Sequence, residues 1–271
     1  MHWGEMSRAA RDAAYNNTAA VCSSATLNQE RIEASAAYRA AHGGKLDLPY
    51  GSGERNKWDL YPAADAHAPC LVFIHGGYWQ RNGREDFACL AEGMAKHGWS
   101  VALPGYTLAP EVSLTQIVGE IGAALDWLQG EGPRHGIAGP IVVSGWSAGG
   151  HLAALALGHA AVAAGLAISG IFELGPLRDT YLDEKLKLTD DEVETLSPLR
   201  LPIVAKPLAI AYGSRELAAL VNDSRNFHAR RAAMHAPGAL VPVADADHFT
   251  ILHELRGPAG ALVRQALVII Q

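Results

Sequence analysis

Cysteine is scarce in this chain. Cys22, Cys70 and Cys89 are spread over 271 positions, and an odd, widely spaced set fits reduced thiols rather than a disulfide framework. Charge is sparse too: charged residues make up 18% and the formal net charge is −6, a balance that argues against nucleic acid or an anionic membrane as partner. The first thirty residues carry Glu5, Arg8, Arg11, Asp12 and Asn16 without an apolar core, so they do not read as a secretion signal. The apolar stretch 152–171 is interrupted by His159, Ser169 and three glycines; it reads as a buried helix running into a buried strand, not as a membrane span. There is no H-E-x-x-H, and His248 with His253 lacks the i,i+4 spacing that puts two metal ligands on one helix face. No internal repeat, low-complexity tract or interdomain linker is visible. The expectation is a soluble cytoplasmic protein that needs no metal or organic cofactor.

What is abundant is apolar sequence, at 49%, and it comes in short runs. Residues 70–75, 100–104, 141–144, 165–171, 207–212 and 239–243 read as strands buried on both faces. Between them, 85–97, 114–129, 148–158, 217–235 and 258–270 carry apolar residues at helical spacing. Strands alternating with helices predict an α/β fold, a mostly parallel central sheet with helices on both faces. Ahead of it, 8–15 and 31–42 read as helices and 45–50 with 57–61 as a hairpin. The chain is therefore expected to be a single domain over 1–271, with an N-terminal helical segment at 1–44. The acidic stretch at about 173–200 reads as a small cap-like insertion, although charge of this kind also describes a solvated face.

Ser147 lies in Gly145-Trp146-Ser147-Ala148-Gly149, after the apolar run Ile141-Val142-Val143 and before a helical stretch. That context makes the pentapeptide a candidate nucleophile elbow, a strand-to-helix turn that projects a serine hydroxyl. The flanking glycines suit a turn where side chains would collide with the crossing strand and helix. A lone G-x-S-x-G can arise by chance in a chain with 28 Gly; its other reading is a glycine-rich turn with an exposed serine. A serine hydroxyl also needs a base, a group that orients the base, and donors for the oxyanion.

Each partner has a candidate, in the order Ser, acid, His. His75-Gly76-Gly77-Tyr78-Trp79 follows the apolar run 71–74, and backbone N–H groups of Gly77 and Tyr78, with that of Ala148, are the candidate oxyanion donors. His248, just past the last predicted strand, is the candidate base. His151 and His159 fall on the helix after Ser147, His75 belongs to the oxyanion loop, and His253 lies too far into the following segment. For the acid, Glu216 follows the strand 207–212 most directly. Asp223, two helical turns further on, and Asp245 and Asp247, beside the histidine, remain alternatives.

These residues resemble the hormone-sensitive-lipase-related α/β-hydrolases. Within that group the chain is most similar to metal-independent arylformamidases (kynurenine formamidases) and their esterase relatives. The likeness is carried by the H-G-G-Y-W and G-x-S-x-G motifs, by Tyr106-Thr107-Leu108-Ala109-Pro110-Glu111, by Tyr15-Asn16-Asn17, by Tyr50-Gly51 with Asp59-Leu60-Tyr61-Pro62, by 169–174, and by His248-Phe249. Two positions differ from the pattern: Trp146 stands where members usually carry His, and Arg215 where some relatives carry Asp. The resemblance implies an α/β-hydrolase fold and a serine hydrolase that cleaves a small carboxylic ester or aryl formamide through an acyl-serine. An aromatic substrate suits a pocket expected to contain His75, Gly76, Trp79, Trp146, Phe172 and Phe249. A carboxylesterase without deformylase role, an acyltransferase, and a binding protein on an inactive hydrolase fold are the other functions this sequence allows.

Overall fold

A computed structural model describes residues 3–270. Its strands are β1 (Lys45–Pro49), β2 (Lys57–Tyr61), β3 (Cys70–Ile74), β4 (Ser100–Pro104), β5 (Ile141–Trp146), β6 (Val162–Ile168), β7 (Leu208–Gly213) and β8 (Leu240–Val243). They form one sheet in the order β1-β2-β4-β3-β5-β6-β7-β8. The pairs β1–β2 and β2–β4 are antiparallel, and all pairs from β4 onward are parallel. Every residue of β3, β5 and β7 is buried, as expected for parallel strands covered on both faces. The edge strand β1 instead alternates exposed and half-buried positions.

Side chains one residue apart on β3 go to opposite layers: Val72 and Ile74 join one core cluster, Leu71 and Phe73 the other. Helices α1 (Arg8–Tyr15), α2 (Asn17–Ala20) and α3 (Ser24–Ala41) precede the sheet, and α4 (Ala91–Ala95), α5 (Leu114–Glu131) and α6 (Ala148–Ala156) connect its central strands. The insertion after β6 holds α7 (Asp183–Leu186) and α8 (Asp190–Leu196); α9 (Ala218–Ala233), α10 (His253–Arg256) and α11 (Ala261–Val268) complete the cover. Helix α5 shows why such segments form. Leu114, Ile117, Ile121, Ala124, Leu125 and Leu128 fall on one buried stripe, and Ser113 and Gln116 cap its start reciprocally, through Ser113 Oγ at 3.3 Å and Gln116 Oε1 at 3.0 Å. Among the described residues no helix is long and apolar enough to cross a membrane.

Three elements differ from the sequence reading. The helix expected over 85–97 is a 3-10 segment, Arg84–Leu90, followed by the short α4. There the Asp86 carbonyl is engaged from outside by Arg31 Nε at 3.1 Å and Ser35 Oγ at 2.9 Å. The strand expected over 165–171 runs from Val162 to Ile168, because Ser169 turns out of the sheet at φ 51°. Helix α3 begins at Ser24, about two turns before the residues whose periodicity announced it.

The sheet order sets the position of the site. Strand β3 has β4 on one side and β5 on the other, so the chain leaves β3 and β5 toward opposite halves of the sheet. That reversal opens a crevice at their carboxyl ends, where ligands bind in folds of this kind. The H-G-G-Y-W loop leaves β3 there, and Ser147 leaves β5.

Candidate active site

Ser147 occupies the N-cap of α6 with φ 58° and ψ −120°, a left-handed geometry that costs a non-glycine residue about 1–3 kcal/mol. The turn is held by Ser147 N–H donating to Ile168 O at 2.8 Å and by His151 N–H donating to Ser147 O at 3.1 Å. The two flanking glycines have no room for a side chain. A Cβ on Gly145 would stand 2.1 Å from Gly149 O, and one on Gly149 would stand 2.0 Å from Ile74 O. The turn therefore closes directly against β3, and the first N–H groups of α6 face the crevice end of the sheet.

The loop after β3 takes three consecutive positive φ values, 121° at Gly77, 52° at Tyr78 and 58° at Trp79. Asn82 Nδ2 holds its start by donating to Gly76 O at 3.0 Å. His75 Nδ1 meets the same carbonyl at 2.9 Å, which places its proton on Nδ1. Its ring stacks on Tyr106 at 4.2 Å, and burial drives its pKa down to about 3, so it stays neutral. A Cβ on Gly76 would lie 3.0 Å from Ser147 Cβ, so this loop abuts the elbow. The N–H groups of Gly77, Tyr78 and Ala148 have no acceptor among the described residues.

Across the crevice, the loops after β7 and β8 bring Glu216 and His248 together. His248 Nδ1 lies 2.9 Å from Glu216 Oε2, and the carboxylate is fully buried. The other carboxylate oxygen accepts from Ser169 Oγ at 2.6 Å and from Gly213 N–H at 2.6 Å. With Nδ1 donating to the carboxylate, Nε2 is left with a lone pair. Trp146 fixes the backbone of the histidine, its Nε1–H donating to His248 O at 2.7 Å. The alternative acids are engaged elsewhere. Asp223 on α9 accepts the N–H groups of Phe172 at 2.9 Å and Glu173 at 3.2 Å. Asp245 pairs with Arg215 on the surface at 2.6 Å, and Asp247 accepts the N–H groups of Phe249 and Thr250.

The chain is similar to several known proteins. A family profile described as BD-FAE matches residues 59–167. A kynurenine formamidase of Danio rerio is 28% identical over 230 residues, covering 78% of this chain and 76% of the relative. The crystal structure of a putative thioesterase from a Silicibacter species superposes with TM-score 0.85 at 29% identity, covering 95% of this chain and 98% of that one. A phosphonate-inhibited esterase B of Lactobacillus rhamnosis shares the fold, with TM-score 0.71 at 19% identity over 86% of this chain and 87% of that one. The chain has the α/β-hydrolase fold.

In this hydrolase Ser147 and His248 line one pocket of about 180 Å³, together with Gly77, Tyr78, Trp146 and Phe249. Four of the residues expected to line the pocket do not. His75 is buried between Tyr106 and Phe87, and Gly76 lies behind the elbow. Trp79 packs edge-on against His151 at 5.0 Å, and Phe172 stacks on Phe227 at 4.6 Å. The turns at Gly77–Trp79 and Ser169 point these side chains into the core, which nearness in sequence could not reveal.

The rest of the lining comes from residues the motif analysis passed over: Asn17, Thr18, Asn28, Arg31 and Ile32, with Arg81 and Asn82. The first five belong to α2 and α3, so the N-terminal helices form the roof. Residues 173–200 contribute nothing to this pocket. They brace α1 and the turn before it instead, through Tyr181 N–H to Asp12 at 2.8 Å and Trp3 Nε1 to Asp179 at 2.9 Å. The one available signal was Tyr15-Asn16-Asn17, a piece of the family resemblance with no chemistry attached to it at the level of sequence.

Proposed function

We propose that the enzyme cleaves a small carboxylic ester or aryl formamide through an acyl-serine, with Ser147 as nucleophile, His248 as base and Glu216 as the group that orients it. The observation that carries this reading is the buried Glu216–His248 contact of 2.9 Å beside a strained Ser147 in the same pocket. His248 Nε2 takes the hydroxyl proton as Ser147 Oγ attacks the substrate carbonyl, and Glu216 stabilises the imidazolium that forms. The carbonyl oxygen, now an oxyanion, is received by the N–H groups of Gly77, Tyr78 and Ala148, each such donor being worth about 3 kcal/mol in the transition state. The tetrahedral adduct collapses, the C–O or C–N bond breaks, and His248 gives its proton to the departing alcohol or arylamine. Water then attacks the acyl-serine by the same route and releases the acid.

The formamide reading has one observation of its own. Tyr78 OH donates to Tyr15 O and so accepts from Asn17 Nδ2 at 3.0 Å. This fixes the Asn17 amide and leaves its Oδ1 buried and without a donor in the pocket wall. A formamide N–H is a donor of the kind this oxygen lacks; an ester offers none. The similarity to kynurenine formamidases points the same way.

The test is kcat/KM on N-formylkynurenine beside short-chain p-nitrophenyl esters, with Ser147→Ala as control and fluorophosphonate labelling of the wild type. Labelling at Ser147 and loss of about 10⁴-fold or more in kcat on its replacement are expected. Preference for the formamide makes the enzyme an arylformamidase; efficient ester cleavage alone makes it a carboxylesterase. Acyl transfer to an added alcohol in place of hydrolysis marks an acyltransferase. Full activity of Ser147→Ala overturns the mechanism.

A further inference from the structure

Arg31 is a guanidinium out of water with no carboxylate paired to it among the described residues. The residue is only 8% exposed, and its planar head is fixed on three sides. Nε donates to Asp86 O at 3.1 Å, Nη1 donates to Asn28 Oδ1 at 2.7 Å, and the face lies 4.0 Å from the centre of the Phe87 ring. Nη2 is buried and has no acceptor. Both hydrogen-bonded partners are neutral oxygens, and no Asp or Glu oxygen among the described residues lies within 4.0 Å of the head. Burial draws its pKa down to about 10, only partly offset by the Asp86 charge beyond ion-pair distance, which still leaves it cationic at neutral pH. A charge held this way costs several kcal/mol unless something compensates it, and inside the fold only two neutral oxygens, the Phe87 face and that distant carboxylate do so.

Arg31 lines the pocket that holds Ser147 and His248, and a second, exposed cation, Arg81, lines it too. The same lining contains three asparagines, Asn17, Asn28 and Asn82, and no acidic side chain. A cationic pocket in a chain of net charge −6 is built for an anion that the bulk surface repels. Resting on the acyl-serine reading above, we infer that the enzyme's substrate carries a carboxylate, and that Arg31 is the specificity residue that receives it. One buried guanidinium with one unpartnered nitrogen suits a planar monoanion; a phosphate dianion calls for more charged groups than this wall supplies. The fixed head loses little entropy on binding, so its contribution falls on selection between anionic and neutral substrates more than on the chemical step.

The test compares the ortho, meta and para acetoxybenzoates with the matching acetoxybenzamides, which have nearly the same shape and no charge. For at least one isomer, wild-type kcat/KM is expected to favour the carboxylate by tenfold or more, with the preference carried by KM and changed little by salt, because the receiving charge is buried. Arg31→Gln is expected to erase the preference, the carboxylate kcat/KM falling at least tenfold further than that of the matching benzamide. Arg31→Lys, which keeps the charge and loses the planar head, is expected to retain part of it, and guards against a Gln variant that fails to fold. A wild type that hydrolyses both series without preference overturns the inference and leaves the serine mechanism standing; equal loss of both series in Arg31→Gln with a native melting temperature assigns the residue a structural role only. If neither series turns over, calorimetry of the three acetamidobenzoates against their carboxamides on Ser147→Ala decides on binding alone. Tighter binding of a carboxylate, lost in the Arg31→Gln double variant, supports the inference; no difference for any isomer overturns it.

Discussion

The buried Glu216–His248 pair uses both carboxylate oxygens, the imidazole Nδ1 and the histidine carbonyl in hydrogen bonds, whereas the roof above leaves Asn17 Oδ1 and Arg31 Nη2 without partners. The floor rests on loops leaving β5, β6, β7 and β8, held by the parallel sheet; the roof rests on α2, which has four residues, and on α3, whose outer face is exposed. Polar groups satisfied by the protein hold one geometry, and groups left unsatisfied in a pocket wall are completed by what enters it. On the proposed mechanism the contrast separates two tasks. Proton transfer, which needs fixed distances, falls to the floor, and choice of substrate to the roof.

The contrast is broken most severely by Glu216→Gln. The Gln oxygen can still accept from Ser169 and Gly213, but its amide nitrogen then faces His248 Nδ1, which must become an acceptor, so Nε2 carries the proton and cannot serve as base. A fall in kcat of about 10³–10⁴-fold is expected with KM little changed; kcat within tenfold of wild type would remove Glu216 from the mechanism. A smaller effect is expected of Trp146→Phe. It keeps the ring against Phe87 and His248 but deletes the donor to His248 O, and a lost buried hydrogen bond of about 1–3 kcal/mol predicts a kcat roughly tenfold lower, read in steady-state kinetics, with KM unchanged. An equal loss in KM would instead make Trp146 a substrate contact.

Asp223→Asn sharpens the comparison with almost no effect on turnover, because the carboxylate holds the 172–173 backbone and not the histidine. Kcat within threefold of wild type is expected. Stability should respond. Burial, above all, raises the Asp223 pKa from 3.8 to about 7, so the folded chain keeps this proton over a pH range where the unfolded chain has released it. The stabilisation is therefore full below pH 4 and is lost as pH rises toward 7. The Asn variant keeps an acceptor for both N–H groups and has no proton to lose, so its melting temperature should lack that part of the decline between pH 4 and 7. A slope identical to wild type would show that Asp223 titrates normally in the fold.

How far the sequence carried each of these regions follows from the kind of signal involved. Strand β4 was legible residue for residue, since Ser100–Pro104 is an apolar run bounded by a tight turn and a glycine. The pairing of Ser147, Glu216 and His248 at one end of the sheet was legible because each follows a recognisable strand, and strand ends in a parallel sheet converge. The pocket lining was not. Side-chain direction past a strand end depends on local φ, and positive values at Tyr78, Trp79 and Ser169 reverse the direction that an extended chain would give. The roof was less legible still. Its residues are polar, ordinary in spacing, and more than a hundred positions from the serine they cover; only tertiary contact gives Arg31 and Asn17 their meaning.

The phenol of Tyr78 joins the two regions. Its backbone N–H has no acceptor among the described residues, and its hydroxyl donates to Tyr15 O and accepts from Asn17. During translation, Tyr15 and Asn17 leave the ribosome well before Tyr78, and long before Ser147 and His248. The earliest part of the site to be synthesised thus waits for its latest part. Until the strands behind it have assembled, the helical roof has nothing to cover and the tyrosine has no backbone geometry to hold.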